Sequence, residues 1–155
     1  MKKLYYLIIA IIVLSLGATV SYAETTLRSA NVTEINGSAE VLQSDGSWKP
    51  ATVGMILGQG DAIRTRASSW AMLSIDGLTE TATVEVKENS ELKLATLLKD
   101  DAEASQTTLL DLSLGEILIK AKKLHSETSK FEVKTPTSIV GVRGTTFSVA
   151  VEAVE

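Results

Sequence analysis

Few side chains in this sequence could carry out catalysis. The chain contains no cysteine and a single histidine, His125, which lies in the polar stretch Lys122–Lys130. A histidine without a second one nearby is a weak basis for a metal site, so His125 is interpreted as a solvated loop residue. No G-x-S-x-G sequence is present, and the chain offers no thiol nucleophile. The sequence therefore predicts a protein that is not an enzyme and that holds no cofactor.

Two other groups of residues suggest binding chemistry. Asp100, Asp101 and Glu103 could offer oxygen ligands to calcium, but they lack the EF-hand spacing and fit a solvated acidic loop better. Trp48 and Trp70 could stack on a sugar, although a tryptophan beside a turn usually covers the edge of a core. No metal site is expected, and a carbohydrate-binding module that recognises polysaccharide remains an alternative.

The segment Thr135–Glu152, TPTSIVGVRGTTFSVAVE, alternates apolar and polar residues as a half-buried strand does. Its apolar positions change parity along the way, from Val140 and Val142 to Phe147, Val149 and Val151. Arg143-Gly144-Thr145 lies at the change. Because a bulge inserts one extra residue and exchanges the two faces of a strand, the pattern predicts a bulge here.

Arg143 is an unusual residue to find inside such a segment. Gly141 and Gly144 flank it and would allow positive φ on either side. Because a guanidinium satisfies several acceptors at once, Arg143 is predicted to bridge backbone carbonyls, or the carboxylate of Asp61 or Asp76, along the sheet edge. The alternative is that Arg143 binds an anionic ligand or partner.

The N-terminus has the organisation of a secretory signal peptide. Lys2-Lys3 precedes the apolar run Leu4–Val20, and Ser21-Tyr22-Ala23 offers the small residues that precede a cleavage site. The run, of about 17 residues, is at the bottom of the range of lengths of a spanning helix. We expect residues 1–23 to be a cleaved signal peptide and residues 24–155 to be one periplasmic or secreted domain. Contact with a membrane is expected only if the signal peptide is retained as an anchor.

The charge of the chain argues against nucleic-acid binding. The formal net charge is −4, and removal of the two signal-peptide lysines would make it −6. Phosphate neutralisation needs a concentrated basic face. The basic cluster of Lys120, Lys122 and Lys123 is flanked by Glu116 and Glu127, and it is interpreted as a solvated strand end and loop.

Turn signals divide the rest of the chain into short strands. The dipeptides Asn36-Gly37, Asp45-Gly46 and Asp76-Gly77 are strong hairpin signals, because Asn, Asp and Gly tolerate positive φ. The strands predicted around them are Asn31–Ile35, Ser38–Ser44, Ser69–Ile75 and Leu78–Lys87. The polar stretch Lys99–Gln106 is predicted to be a loop. Turns at this spacing are typical of a compact antiparallel sandwich, a barrel or a short solenoid.

Two segments fit a helix and a strand equally well by periodicity. Ser90–Asp101 could be a helix capped by Ser90, and Leu110–Leu124 has apolar residues at both helical and alternating spacing. In the alternating interpretation the second segment changes parity at Gly115. A glycine at such a change indicates a bulge or a tight bend.

The order of short motifs along the chain resembles the FecR domain family of bacterial envelope proteins, over about Val32 to Val151. The matching elements are WKPA from Trp48, GMIL from Gly54, GDAIRT from Gly60, AMLSIDG from Ala71, LGEI from Leu114, FEVKTP from Phe131 and VRGTTF from Val142. The motif residues are Gly60, Asp61, Thr135, Pro136, Gly141, Arg143, Gly144, Thr145 and Phe147. The resemblance implies an all-β domain, so both ambiguous segments are expected to be strands.

The resemblance also implies a class of function. Regulators of iron uptake in this family join a cytoplasmic anti-sigma segment and one membrane span to this domain in the periplasm. Here only Met1-Lys2-Lys3 precedes the apolar run, so the chain resembles the exported stand-alone members more. We expect a non-catalytic module that acts through an envelope protein or other envelope contacts. The alternatives are a periplasmic sensory component that works with a separate membrane partner, and a carbohydrate-binding module.

Overall fold

The computed structural model describes residues 25–43, 46–79, 81–123 and 126–152. The expected signal peptide and His125 lie outside the described residues. The strands are β1 (Thr25–Leu27), β2 (Ala30–Asn36), β3 (Ala39–Leu42), β4 (Trp48–Pro50), β5 (Ile56–Leu57), β6 (Ala62–Thr65), β7 (Trp70–Ile75), β8 (Ala82–Val86), β9 (Glu91–Asp100), β10 (Ser105–Ala121), β11 (Lys130–Lys134), β12 (Ile139–Val142) and β13 (Thr146–Val151). Within these ranges no helix is long and apolar enough to cross a membrane.

The strands form two sheets that share β10. The first sheet has the order β4-β3-β6-β9-β10-β11-β12, with β1 also paired to β9. The second sheet has the order β5-β2-β7-β8-β10-β13. Among the described strands every pair is antiparallel except β10 with β11. This curled, mainly antiparallel arrangement confirms the all-β prediction, and the two ambiguous segments are the strands β9 and β10.

β10 passes from one sheet to the other at Gly115. Before this residue β10 pairs with β9 and β11, and from it onwards with β8 and β13. The buried positions change parity at the same place, from Leu110 and Leu112 to Ile117 and Ile119. Gly115 has a φ of +87°, and a Cβ there would lie 2.5 Å from the Cα of Ser90. The predicted bend at Gly115 is confirmed.

Two of the three predicted hairpins join paired strands. Gly46 lies between β3 and β4, and Asp76-Gly77 lies between β7 and β8, and both pairs are antiparallel. The hairpin prediction for Asn36-Gly37 was wrong, because β2 belongs to the second sheet and β3 to the first. Gly37, at φ +77°, instead turns the chain between sheets, where a Cβ would lie 2.9 Å from the Cβ of Ser69.

Two predicted boundaries also need correction. The strand predicted from Leu78 begins only at Ala82, because Gly77–Thr79 forms a 3-10 turn. The loop predicted for Lys99–Gln106 is a turn of residues 101–104 only, because the flanking residues continue the ladder, with Ser105 opposite Asp100. Polar side chains do not interrupt a ladder when the backbone hydrogen bonds are kept.

The core lies between the two sheets. Fully buried side chains come from both, among them Leu73 and Ile75 of β7, Leu92 and Leu94 of β9, and Ile117 of β10. Burying each side chain of this size contributes roughly 1.5–3 kcal/mol. A slip of one residue in any strand would move its apolar side chains into water, so the alternation sets the register.

Candidate functional site

Arg28 and Asp76 form a buried ion pair beside the β7–β8 turn. The guanidinium donates from Nε to Oδ1 of Asp76 (2.8 Å) and from Nη2 to Oδ2 (2.6 Å). Its other N–H groups donate to Oγ1 of Thr81 (2.9 Å), Oγ1 of Thr108 (2.9 Å) and the carbonyl of Thr107 (3.4 Å). These contacts occupy all five donors of the guanidinium. Arg28 therefore ties the segment before β2 to the β7–β8 turn and to β10, and it offers no donor to a ligand.

Arg143 does not form the bridge predicted for it. Its side chain is exposed, and no described residue accepts a hydrogen bond from it. The carboxylate of Asp76 is bound by Arg28, and Oδ2 of Asp61 accepts a hydrogen bond from the amide of Gly58 (2.8 Å). Asp76 was predicted as one of two candidate partners of Arg143, and its carboxylate is bound by a different arginine. Arg28 was missed because it lies 48 residues away and no local pattern marks it.

The parity change around Arg143 has a different cause from the predicted bulge. β12 pairs with β11 in the first sheet and β13 pairs with β10 in the second, so residues 143–145 carry the chain between sheets. Gly144 has a φ of +73°, and a Cβ there would lie 2.5 Å from the Cα of Lys123. Glycine is required at this close approach. Gly141 has neither a positive φ nor a close neighbour, so of the two glycines only Gly144 uses the positive φ that glycine allows.

The other motif residues stand in separate turns. Gly60, at φ +97°, donates its amide hydrogen to the carbonyl of Leu94 (2.7 Å). Thr135 is buried, and its Oγ1 accepts a hydrogen bond from the amide of Ser138 (3.0 Å) in the turn that contains Pro136. Of the last two motif residues, Thr145 directly precedes β13 and Phe147 is the second residue of that strand. The motif positions therefore form no single cluster of side chains.

The two tryptophans belong to different sheets, Trp48 to β4 and Trp70 to β7. The guanidinium of Arg64 lies 3.9 Å from the centroid of the Trp48 ring and covers one face of it. Oε2 of Glu40 accepts hydrogen bonds from Arg64 and Arg66, both at 2.8 Å. The hydrogen bond from Arg64, followed by that from Arg66, lowers the pKa of Glu40 against the opposing effect of desolvation. A shared sugar-stacking surface gains no support from this arrangement.

The acidic loop after β9 is held by hydrogen bonds and an ion pair among its own residues. Oδ1 of Asp100 accepts hydrogen bonds from the amides of Ala102 (2.9 Å) and Glu103 (3.1 Å), and Lys99 pairs with Asp101 (2.5 Å). Across residues 25–43, 46–79, 81–123 and 126–152, no three His, Cys, Asp or Glu side chains come together in a way that could hold a metal ion.

The edges of the two sheets differ in how they are protected. At one side, β4 carries Lys49 and Pro50, and β5 is only two residues long. Both features discourage pairing with a further strand. At the other side, β12 (IVGV) and β13 (TFSVAV) contain neither a charged residue nor a proline. These two strands are therefore open to edge pairing.

A groove of about 670 Å³ lies between β12 and β13. Its apolar lining residues are Leu114, Pro136, Val140, Val149, Ala150 and Val151. Leu114 and Val140 are 39% and 37% exposed, and Ile139 on the β12 edge is 64% exposed. Two unprotected edges beside an apolar groove form the candidate functional site, because they offer both backbone hydrogen bonds and apolar contacts to an incoming strand.

The comparisons with known proteins agree with the motif resemblance. A family model described as FecR protein matches residues 61–154, more than half of the chain. The match includes β6 to β13 and leaves the motifs at Trp48 and Gly54 outside it. No curated protein and no solved structure matches the chain.

Proposed function

The chain belongs to the FecR family, and from this premise we propose that it is an exported, non-catalytic β-domain that binds a partner protein of the cell envelope. The observation that carries the proposal is the pair of unprotected edges at β12 and β13 with an apolar groove between them. The family is one of signalling and regulatory domains that work with partner proteins, which supports a protein as the occupant.

We propose that the partner contributes an extended segment with alternating apolar residues. Such a segment would add to the β13 edge through main-chain hydrogen bonds, as in other cases of strand addition. Every second side chain would then enter the groove, where Val149 and Val151 are half-buried. If the partner is an outer-membrane protein or a membrane-bound regulator, the domain acts as a sensory component of that system.

Site-specific photocrosslinking tests the location of the partner. A benzophenone amino acid at Ser148, which is exposed on β13, is expected to capture an envelope protein in living cells. The same amino acid at Thr52, which is exposed between the protected strands β4 and β5, is expected to capture none. Equal products from both positions, or products only from Thr52, would contradict the proposal.

Charging the β13 edge is expected to abolish partner binding. The variant Ser148→Lys/Ala150→Lys changes two exposed residues and places lysines on the edge, a device that natural sheets use to prevent pairing. When the purified variant is used to bind the partner identified by crosslinking, the amount of partner recovered should fall by about tenfold or more. The control Thr52→Lys/Val53→Lys adds the same charge at exposed positions elsewhere and should bind as the wild type does. Both variants should melt like the wild type, and a partner retained by the β13 variant would refute edge pairing.

Export is expected to yield a mature protein that starts at Glu24, because Ser21-Tyr22-Ala23 forms the cleavage site. Cell fractionation followed by intact-mass measurement of the exported protein tests this expectation. Replacing Ala23 by a bulky residue, as in Ala23→Leu, should block cleavage after Ala23 and leave a heavier precursor. A wild-type protein of full-length mass in the membrane fraction would show instead that the apolar run is an anchor.

A further inference from the structure

Four cations from different parts of the chain converge at one end of the two sheets. Lys122 and Lys123 follow β10, Lys130 begins β11, and Arg143 follows β12. Lys130 and Arg143 are neighbours because Phe131 lies opposite Val142 in the ladder. Gly144, which follows Arg143, packs against the backbone of Lys123: a Cβ on Gly144 would lie 2.5 Å from the Cα of Lys123. This contact brings Lys130 and Arg143 close to Lys122 and Lys123.

Two cavities open at this basic end, and they share Ser129. The first, about 330 Å³, is lined by Lys122 and Lys123 together with the side chains of Thr81 and Gln106. The second, about 370 Å³, is lined by Lys130, Glu132 and Arg143. Both volumes lie at the lower end of the range of roughly 300–1,000 Å³ found for ligand pockets.

The positive charge at this end is not neutralised within the described residues. Ion pairs form at other places, for example between Lys87 and Glu116 and between Lys134 and Asp111. None of the four cations at the basic end takes part in an ion pair with a described residue. The Nζ of Lys122 donates to a backbone carbonyl, that of Thr79 (3.2 Å), and to no carboxylate of a described residue. Among the described residues that line the two cavities of this end, four are cations and Glu132 is the one carboxylate, so the lining has an excess of positive charge.

We propose that this basic end binds a phosphate group carried by an envelope ligand. Lysine is a common point-charge ligand of phosphate, and the guanidinium fork of Arg143 matches two phosphate oxygens. The hydroxyl group of Ser129, which both cavities share and which accepts a hydrogen bond from the amide of Gln106 (3.0 Å), keeps its own proton to donate to the same oxygens. This assignment gives Arg143 a binding function in place of the predicted bridge, and it is independent of the β13 edge.

Titration of the ¹⁵N-labelled protein with inorganic pyrophosphate, followed by amide chemical shifts, tests the site. Saturating shifts are expected at Lys122, Lys123, Lys130 and Arg143 and should weaken as salt is raised, because exposed charges are screened. Lys122→Gln/Lys123→Gln and Arg143→Gln should each raise the dissociation constant by about tenfold. Lys93→Gln removes an exposed lysine of β9 and is the matched control, expected to bind as the wild type does. Equal affinity of the control and the site variants, or equal affinity for acetate, would overturn the proposal.

Two sources of the phosphate can be separated with vesicles. If the ligand is a lipid headgroup, the protein should sediment with vesicles of equal parts phosphatidylglycerol and phosphatidylcholine and not with pure phosphatidylcholine, and Arg143→Gln should reduce sedimentation. If the source is a soluble phosphate compound or a phosphate-bearing glycan, pyrophosphate should bind while neither vesicle does. Absence of both pyrophosphate and vesicle binding would overturn the phosphate site and leave the partner-binding proposal untouched.

Discussion

Replacing Arg28 by alanine is expected to lower the free energy of unfolding by about 3–5 kcal/mol, because the carboxylate of Asp76 would stay buried without its cation. The two side chains are only 5% and 12% exposed, so water can do little to solvate the remaining charge. For a domain of this size the melting temperature should fall by about 10 °C or more. Thermal unfolding followed by circular dichroism measures the effect.

Two further variants test the cause of this loss. Arg143→Ala removes the same kind of side chain from an exposed position, and it should change stability by less than about 0.5 kcal/mol. Arg28→Met/Asp76→Asn removes both charges, keeps a residue type that tolerates the φ of +66° at position 76, and should melt closer to the wild type than Arg28→Ala does, because no buried charge is left unpaired. Equal melting temperatures of Arg28→Ala and Arg143→Ala would contradict the structural role of the buried pair.

Replacing Gly115 by alanine is expected to lower the free energy of unfolding by about 2–5 kcal/mol, because a left-handed backbone strains the alanine and its Cβ clashes with a neighbour. At φ +87° the new Cβ would lie 2.5 Å from the Cα of Ser90. The backbone at Ser90 has little freedom to move, because its Oγ accepts from the amide of Glu116 (2.9 Å) and donates to the carbonyls of Glu88 and Glu116 (both 3.1 Å). Urea unfolding measures the loss of stability.

Gly54→Ala is the matched control for this substitution. Gly54 has a φ of +88°, almost the same as that of Gly115, but nothing lies within 4 Å of a Cβ built on it. Gly54→Ala should lower the free energy of unfolding by the backbone strain alone, about 1–2 kcal/mol. A loss of equal size in the two variants would show that the approach of β10 to Ser90 does not restrict the residue at position 115.

Properties that depend on neighbouring residues were predictable from the sequence. Alternation predicted the strand that buries Leu73 and Ile75, because side chains on successive residues of a strand point to opposite faces. The change of parity predicted the bend at Gly115, and the Asp76-Gly77 dipeptide predicted the β7–β8 hairpin. Periodicity alone did not separate helix from strand in β9 and β10, and the family resemblance did.

The choice of partner strand was not predictable in the same way. Asn36-Gly37 has the residues of a tight hairpin, yet it turns the chain from the second sheet to the first. An Asn-Gly pair fixes only a local backbone conformation, and the strands on either side pair with whichever strand buries more apolar surface. The same reason explains why the parity change at Arg143 marks a passage between sheets and not a bulge.

The sequence by itself thus determined that the domain is built of strands, which face of an alternating strand is apolar, and that β10 bends at Gly115, because these depend on side-chain alternation, local φ and the order of short motifs. Only the tertiary structure decided that Asp76 pairs with Arg28, that Lys122, Lys123, Lys130 and Arg143 meet at one end, and that β12 and β13 are left as open edges. Each of these features joins residues that are far apart in the chain. Such proximity is set by the order of strands in the sheets, which no local pattern of residues encodes.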